Sequence, residues 1–380
     1  MGSFRTLLAI SVLITHSGPI FGVRLLNGDM AITLFFLVSG FLMSLILTEK
    51  YASVKLFYLN RLLRIFPPFW ASVLFTVLIG AAFRTPPFLE VLENLKRFYL
   101  AGNSWALAYA AIANVFLVGA DFGRAIGSPD FVLVTYYPAG HADHAFAGLL
   151  FVPQSWTLPL ELAFYFIAPF ILRLRTPDIS VLCITLVVLT NEIDRHLDDM
   201  GAQLTTDQLF PFQLQFFLFG VLSYRLYEQW RENLLLSRKL CWFVSLILLA
   251  LVFFGYPAVK VAGFQAITLY VAALFCMPFL FALSNGSRID SFMGEFSYPV
   301  YLFHFAIAQA LGKRLMEQLG IVESMWGPLT LVLTAFVSLI YVLFVDRRIG
   351  VIRAAIARRA SVRPDPHGAV HLKQPPVPSG

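Results

Sequence analysis

Long apolar runs separated by short polar breaks dominate this chain. Leu240–Gly255 and Phe264–Leu283 are two of them. Runs near ~20 residues are long enough to cross the hydrocarbon of a bilayer. The pattern predicts spans at Phe4–Val23, Met30–Leu47, Pro68–Phe83, Trp156–Leu172, Ile179–Thr190, Phe210–Tyr227, Leu240–Tyr256, Phe264–Leu283, Phe296–Leu311 and Trp326–Val345. The expected fold is therefore an all-α integral membrane protein, with about ten transmembrane helices in one bundle over residues 1–345. Residues 346–380 then form a basic tail, largely disordered after 363, where Pro and Gly are frequent. Neither an internal repeat nor an attached soluble module is visible.

Composition agrees with the pattern. The chain is 58% hydrophobic and 13% charged, where a soluble domain carries about 25% charged residues to cover its surface. Its three cysteines, Cys183, Cys241 and Cys276, fall inside apolar runs at no metal-binding spacing, and read as packing residues. Met1–Thr6 matches an N-myristoylation pattern, but a chain with many spans needs no lipid anchor. No small-residue cleavage site marks the first span as a removable signal peptide.

The net charge of +6 does not call for nucleic acid, because the basic residues cluster at span ends and in the tail. That is the distribution that orients helices with their positive loops inside. Arg5 at one end, and Arg347, Arg348, Arg353, Arg358 and Arg359 at the other, predict that both termini are cytoplasmic, which requires an even number of crossings. Lys55, Arg61, Arg64, Arg173, Arg175, Arg225 and Arg231 then lie inside, and the acidic stretch with Glu192, Asp194, Asp198, Asp199 and Asp207 lies outside. The apolar segment Trp105–Ala120 would break this order as a span, so it is expected to be an interfacial or re-entrant piece of the long outer segment Arg84–Ser155.

Ionisable residues within spans need a reason, since each costs about 2.5–3.5 kcal/mol at a helix centre. Four stand out: Arg5 and His16 in the first span, Glu161 in the fourth and His304 in the ninth. Arg5 and His16 are eleven positions apart, about 20° from three full turns and roughly 16 Å along the axis, so they share a face. Taken singly, Arg5 is as well explained as a topology charge, and His16 as a packed, hydrogen-bonded ring. Arg61 and Arg64 lie on neighbouring turns, where two guanidinium groups can grip phosphate; alone, the pair is better explained by topology. Trp156 suits an interfacial belt, whereas Glu161 lies deeper and needs a cationic partner. Ser297, Tyr301 and His304 form a polar stripe, which could serve only as glue between helices. His141, Asp143 and His144 lie in a loop and lack zinc spacing.

Together these pieces resemble the acyltransferase-3 family of membrane O-acyltransferases, which modify bacterial surface polysaccharides and other secreted acceptors. Arg5 to His16 is similar to its first-helix pattern, Phe35–Leu42 to its second-helix signature, and Arg61 and Arg64 to its paired arginines. Ser155–Glu161 and Ser297–His304 resemble two further motifs, in the family's order. Thr157 stands where the family more often has Ser, and fewer residues precede Arg5 than usual. The resemblance implies transfer of an acyl group, acetyl being the first expectation, from cytoplasmic acyl-CoA to a hydroxyl of a saccharide or glycolipid. It implies His16 and Glu161 as catalytic, Arg5, Arg61 and Arg64 as donor-binding, and Trp156, Tyr298, Tyr301 and His304 as substrate-binding residues. Acetyl-CoA would be a co-substrate, with no metal, in a bacterial inner membrane. The rival is a secondary transporter using Glu161, His16 and His304 as a proton relay.

Overall fold

The computed structural model describes residues 1–49, 53–85, 88–121, 147–199, 206, 209–250, 264–310, 316 and 318–361. The His141–His144 loop, the end of the Leu240–Tyr256 run and the terminal stretch 362–380 lie outside the described residues.

Among the described residues the protein is helical throughout, with no strand beyond a single bridge between Ile20 and Val23. The helices are α1 (Gly2–Ser17), α2 (Gly28–Glu49), α3 (Val54–Phe83), α4 (Phe88–Leu100), α5 (Ser104–Phe116), α6 (Thr157–Ile171), α7 (Thr176–Asp199) and α8 (Phe210–Leu236). After these come α9 (Arg238–Ala250), α10 (Phe264–Ser284), α11 (Arg288–Ala310), α12 (Trp326–Tyr341) and α13 (Arg347–Ser361). A π-turn, Val342–Asp346, joins α12 to α13. Gly28–Glu49, Val54–Phe83, Thr176–Asp199 and Glu323–Arg359 are long and apolar enough to cross a membrane, and Ser104–Phe116 and Thr268–Ser284 are shorter apolar helices. Leu74, Leu78, Phe166, Val181, Ile184 and Phe336 are each 60% or more exposed. A water-soluble surface would not carry such a belt, whereas lipid favours it. The protein is an integral membrane protein.

The bundle has two ends. At the basic end α1 begins beside α11: Asp290 accepts hydrogen bonds from the backbone N–H groups of Gly2 (2.8 Å) and Ser3 (2.9 Å). Arg64 and Arg353 meet there, the Asn60 amide holding the Arg353 carbonyl at 3.0 Å. At the far end α1 finishes against the start of α2, where Gly28 faces Thr15, and against Gly327 at the start of α12. Four contacts then fix the direction of the other helices: Tyr58 with Phe166, Thr157 with Tyr301, Gln215 with Thr190, and Glu49 with Arg231. Successive long helices run in alternate directions.

Close packing depends on glycine where α2 crosses α8. A Cβ on Gly220 would overlap the backbone of Leu37 and Phe41, and one on Gly40 the backbone of Phe217. Small residues let membrane helices approach this closely, because lipid supplies no hydrophobic drive between them. Phe36 and Phe164 stack on Phe217 at 4.8 and 4.3 Å and fill the space beside the crossing.

Two elements differ from the sequence expectation. The third predicted span begins at Pro68, but α3 begins at Val54 and carries Pro67 and Pro68 in its interior. Neighbouring helices can satisfy the carbonyls that proline leaves free, so a membrane helix tolerates it there. Arg61 and Arg64, expected on neighbouring helical turns ahead of the span, consequently lie within the same long helix. Secondly, the segment expected to lie outside takes a more definite form, a helical hairpin of α4 and α5 stapled to the stretch before α6: Asn114 Nδ2 donates to Leu149 O (2.7 Å), and Phe151 N–H donates to Asn114 Oδ1 (2.9 Å). With 13 residues, α5 is about 20 Å long, short of the ~30 Å hydrocarbon core.

Candidate active site

The site runs along the face that α1 shares with α11. These helices lie side by side in parallel, so Arg5 and His16 are both drawn against one neighbour, as their common face requires. Arg5 lies near the basic end, its guanidinium 6.0 Å from the centre of the Phe35 ring. It lines a narrow cavity of about 30 Å³ with Phe35, Thr157, Glu161, Tyr298 and Tyr301. That volume holds a water or two.

Glu161 projects from α6 into this cavity. It accepts a hydrogen bond from the Tyr165 hydroxyl (3.3 Å) and lies in the fields of Arg5, Arg64 and Arg61. The cations that act on it are guanidiniums. Arg61 is buried against Phe57 (6.0 Å) and donates to Asn60 Oδ1 (2.8 Å); Arg64 reaches the Gly294 carbonyl at 3.5 Å. The Tyr298 hydroxyl donates to Ile65 O (3.3 Å), tying α11 to α3. Three arginines from two helices therefore act on one carboxylate, and guanidinium groups suit phosphate-bearing ligands.

At the far end the decisive pair is His16 with His304. Their rings lie 5.4 Å apart, with planes inclined by 32°, and Phe305 closes edge-on to His16 at 5.1 Å. His304 is fully buried, and its Nδ1 lies 2.7 Å from the Tyr301 carbonyl. A carbonyl only accepts, so Nδ1 carries the hydrogen and Nε2 holds the lone pair. Nε2 has no partner among the described residues. Tyr301 joins the two halves: its ring is 6.0 Å from both His304 and Phe35, and its hydroxyl donates to Gln154 O (2.8 Å) beside Thr157 Oγ1 (2.9 Å). Trp156, next to Thr157, is buried. Ser297 spends its hydroxyl on the Gly294 carbonyl (3.0 Å) within its own helix.

Sequence reasoning missed three contributors. Gln154 precedes the Ser155–Glu161 motif, and its amide Nε2 donates to Leu302 O (2.7 Å), clamping the start of α6 to α11. Phe305 looked like any apolar position, and Phe35 was noted only within a hydrophobic signature. No periodicity marks these residues; each acts through a contact between distant segments. Among the described residues no group of His, Cys, Asp and Glu is arranged to hold a metal ion.

A family model described as an acyltransferase domain matches residues 3–345. The chain belongs to the acyltransferase-3 family. In this membrane acyltransferase the stretches singled out in the sequence lie on α1, α2, α3, α6 and α11, and α1, α2, α6 and α11 line the cavity. No curated protein and no solved structure matches the chain significantly.

Proposed function

We propose that this acyltransferase moves an acyl group, acetyl by preference, from acyl-CoA on the cytoplasmic side to a hydroxyl of a saccharide or glycolipid on the other side. It does so across ten helix crossings of a bacterial inner membrane, with both termini cytoplasmic. The observation that carries this reading is a chain of neighbours: Arg5, Glu161, Thr157 and Tyr301 line one cavity, the Tyr301 ring lies beside His304, and His304 lies beside His16. The alternating helices support the crossing number, with α4 and α5 held as a hairpin at the far end.

In this mechanism Arg61 and Arg64, with Arg5 behind them, bind the donor's phosphates, and Glu161 keeps the guanidiniums apart and oriented until the donor arrives. Glu161 thus acts through the arginines. The thioester is directed past Phe35 towards His16, which requires the narrow cavity to widen. His16 takes the proton of the acceptor hydroxyl as its oxygen attacks the thioester carbonyl. The tetrahedral intermediate then collapses, the C–S bond breaks, and the departing thiolate takes the proton back from the imidazolium. His304 packs against His16 with a fixed tautomer, and Tyr301, Thr157 and Trp156 line the approach of the acceptor.

Purified protein in lipid nanodiscs, given acetyl-CoA and a saccharide acceptor, should release free coenzyme A and form an ester. No release of the thiol, alongside uptake of a solute in vesicles, would select the transporter reading instead.

A further inference from the structure

A second, larger cavity opens at the far end between α2, α7, α8 and α10, enclosing about 300 Å³. That is the lower end of the range for small-molecule sites. Its walls carry aromatic faces, among them Trp156 and Tyr270, alongside carboxamides and carboxylates. Gln213 indicates what the chamber is for. It is 5% exposed, yet its side chain makes no hydrogen bond among the described residues. Its carboxamide lines the chamber instead, so its two N–H donors and its carbonyl oxygen are available to whatever enters.

The neighbouring groups are arranged to match. Gln215 donates through Nε2 to Phe212 O (2.9 Å) and Thr190 Oγ1 (3.4 Å), which leaves its carbonyl oxygen as an acceptor. Asp194 is fixed by the Thr206 hydroxyl (2.9 Å) and backbone N–H (3.2 Å). Two carboxylates, Asp29 and Asp194, line the chamber, and no lysine, arginine or histidine does so among the described residues.

We infer that this chamber seats a neutral or amino-bearing sugar unit, with hydroxyl groups bonded to Gln213, Gln215 and Asp194 and an apolar ring face against the aromatic wall. A uronate would meet two like charges with no counter-charge, and a wholly apolar ligand would leave the carboxamides unpaired. In the transfer reaction, on which this placement of the acceptor rests, the location is apt. Ile32 lines both cavities, and the adjacent residues Trp156 and Thr157 face the outer and the inner one respectively.

Isothermal calorimetry on the full chain in nanodiscs tests it with cellobiose, a glucosamine disaccharide and digalacturonate. The neutral and amino disaccharides should bind, digalacturonate at least about tenfold more weakly, and Gln213→Leu should weaken cellobiose about tenfold, the size of a lost hydrogen bond. Gln213→Glu should shift preference towards the amino disaccharide. Acetyl-CoA affinity should be unchanged in both variants, which also reports folding. The inference is overturned if neither disaccharide binds, if digalacturonate binds as tightly as cellobiose, or if both variants bind all three sugars like the parent. Sugar binding without any acetyl transfer would sink the acyltransferase reading and leave the chamber standing. Transfer with no disaccharide binding would do the reverse.

Discussion

His16 shows what a single residue can and cannot announce. Alone it reads as readily as a packed, hydrogen-bonded ring, and only its packing beside His304, 288 positions away, makes it part of a site. Replacing it with alanine should lower acyl transfer by about 10²–10⁴-fold, the usual contribution of a positioned base. The membrane-inserted amount, measured by immunoblot, should not change; retained transfer would remove His16 from the role of base. Asp290 permits a different experiment. Burial works to raise its carboxyl, but the Met1 amine and the backbone N–H groups of Ser3 and Gly2 outweigh it and hold the group below its ordinary value. A carboxyl depressed in the fold contributes stability above its unfolded pKa, and that contribution fades as pH falls through the folded one. Asp290→Asn should therefore cost about 0.5–2 kcal/mol at neutral pH, as lost helix caps do. In thermal melts, the two proteins should converge in acid.

Helices in this bundle are positioned by backbone approach as much as by side-chain bulk. Gly220→Leu should force α8 off α2 and destabilise the fold by at least about 1–3 kcal/mol, read as a lower melting temperature in detergent. A variant melting like the parent would show that the α2–α8 crossing is loose. The arginines on α3 offer a second test. Arg61→Ala with Arg64→Ala should raise the KM for acetyl-CoA with a smaller change in kcat, and an unchanged KM would return them to the status of topology charges. At this scale much was legible, since the apolar runs located helices at every predicted span. The start of α3 was less so: Pro67 and Pro68 lie inside it, and in a membrane bundle neighbouring helices make up for the missing donor. The pairing of α1 with α11 was not legible, because both helices are apolar on several faces and no pattern says which face meets which partner.

For the molecule as a whole, the proposed ten crossings give each loop between described helices an expected side. Single cysteines at Lys55 and Glu192 should react with a membrane-impermeant maleimide from opposite faces of the membrane, the first only after the inside is opened. The native thiols give little background, Cys183 and Cys241 being buried and Cys276 half-buried. Labelling of both from the same face would refute the ten-crossing arrangement. The acidic and basic loops carry the expectation of sidedness, whereas the far-end chamber leaves no trace in the sequence. Gln213, Gln215 and Asp194 are ordinary polar residues at the edges of apolar runs, and only the meeting of α7 with α8 turns them inward.

Ile32 lines both that chamber and the narrow cavity behind it. Under the proposed mechanism this aliphatic side chain would be a septum between the activated thioester and bulk water. Thinning it with Ile32→Ala should convert a transferase into a thioesterase: coenzyme A would be shed with no acceptor present and the ester yield per donor consumed would fall. Tight coupling in the parent protein would then be a matter of keeping solvent on its own side of one methyl-bearing wall.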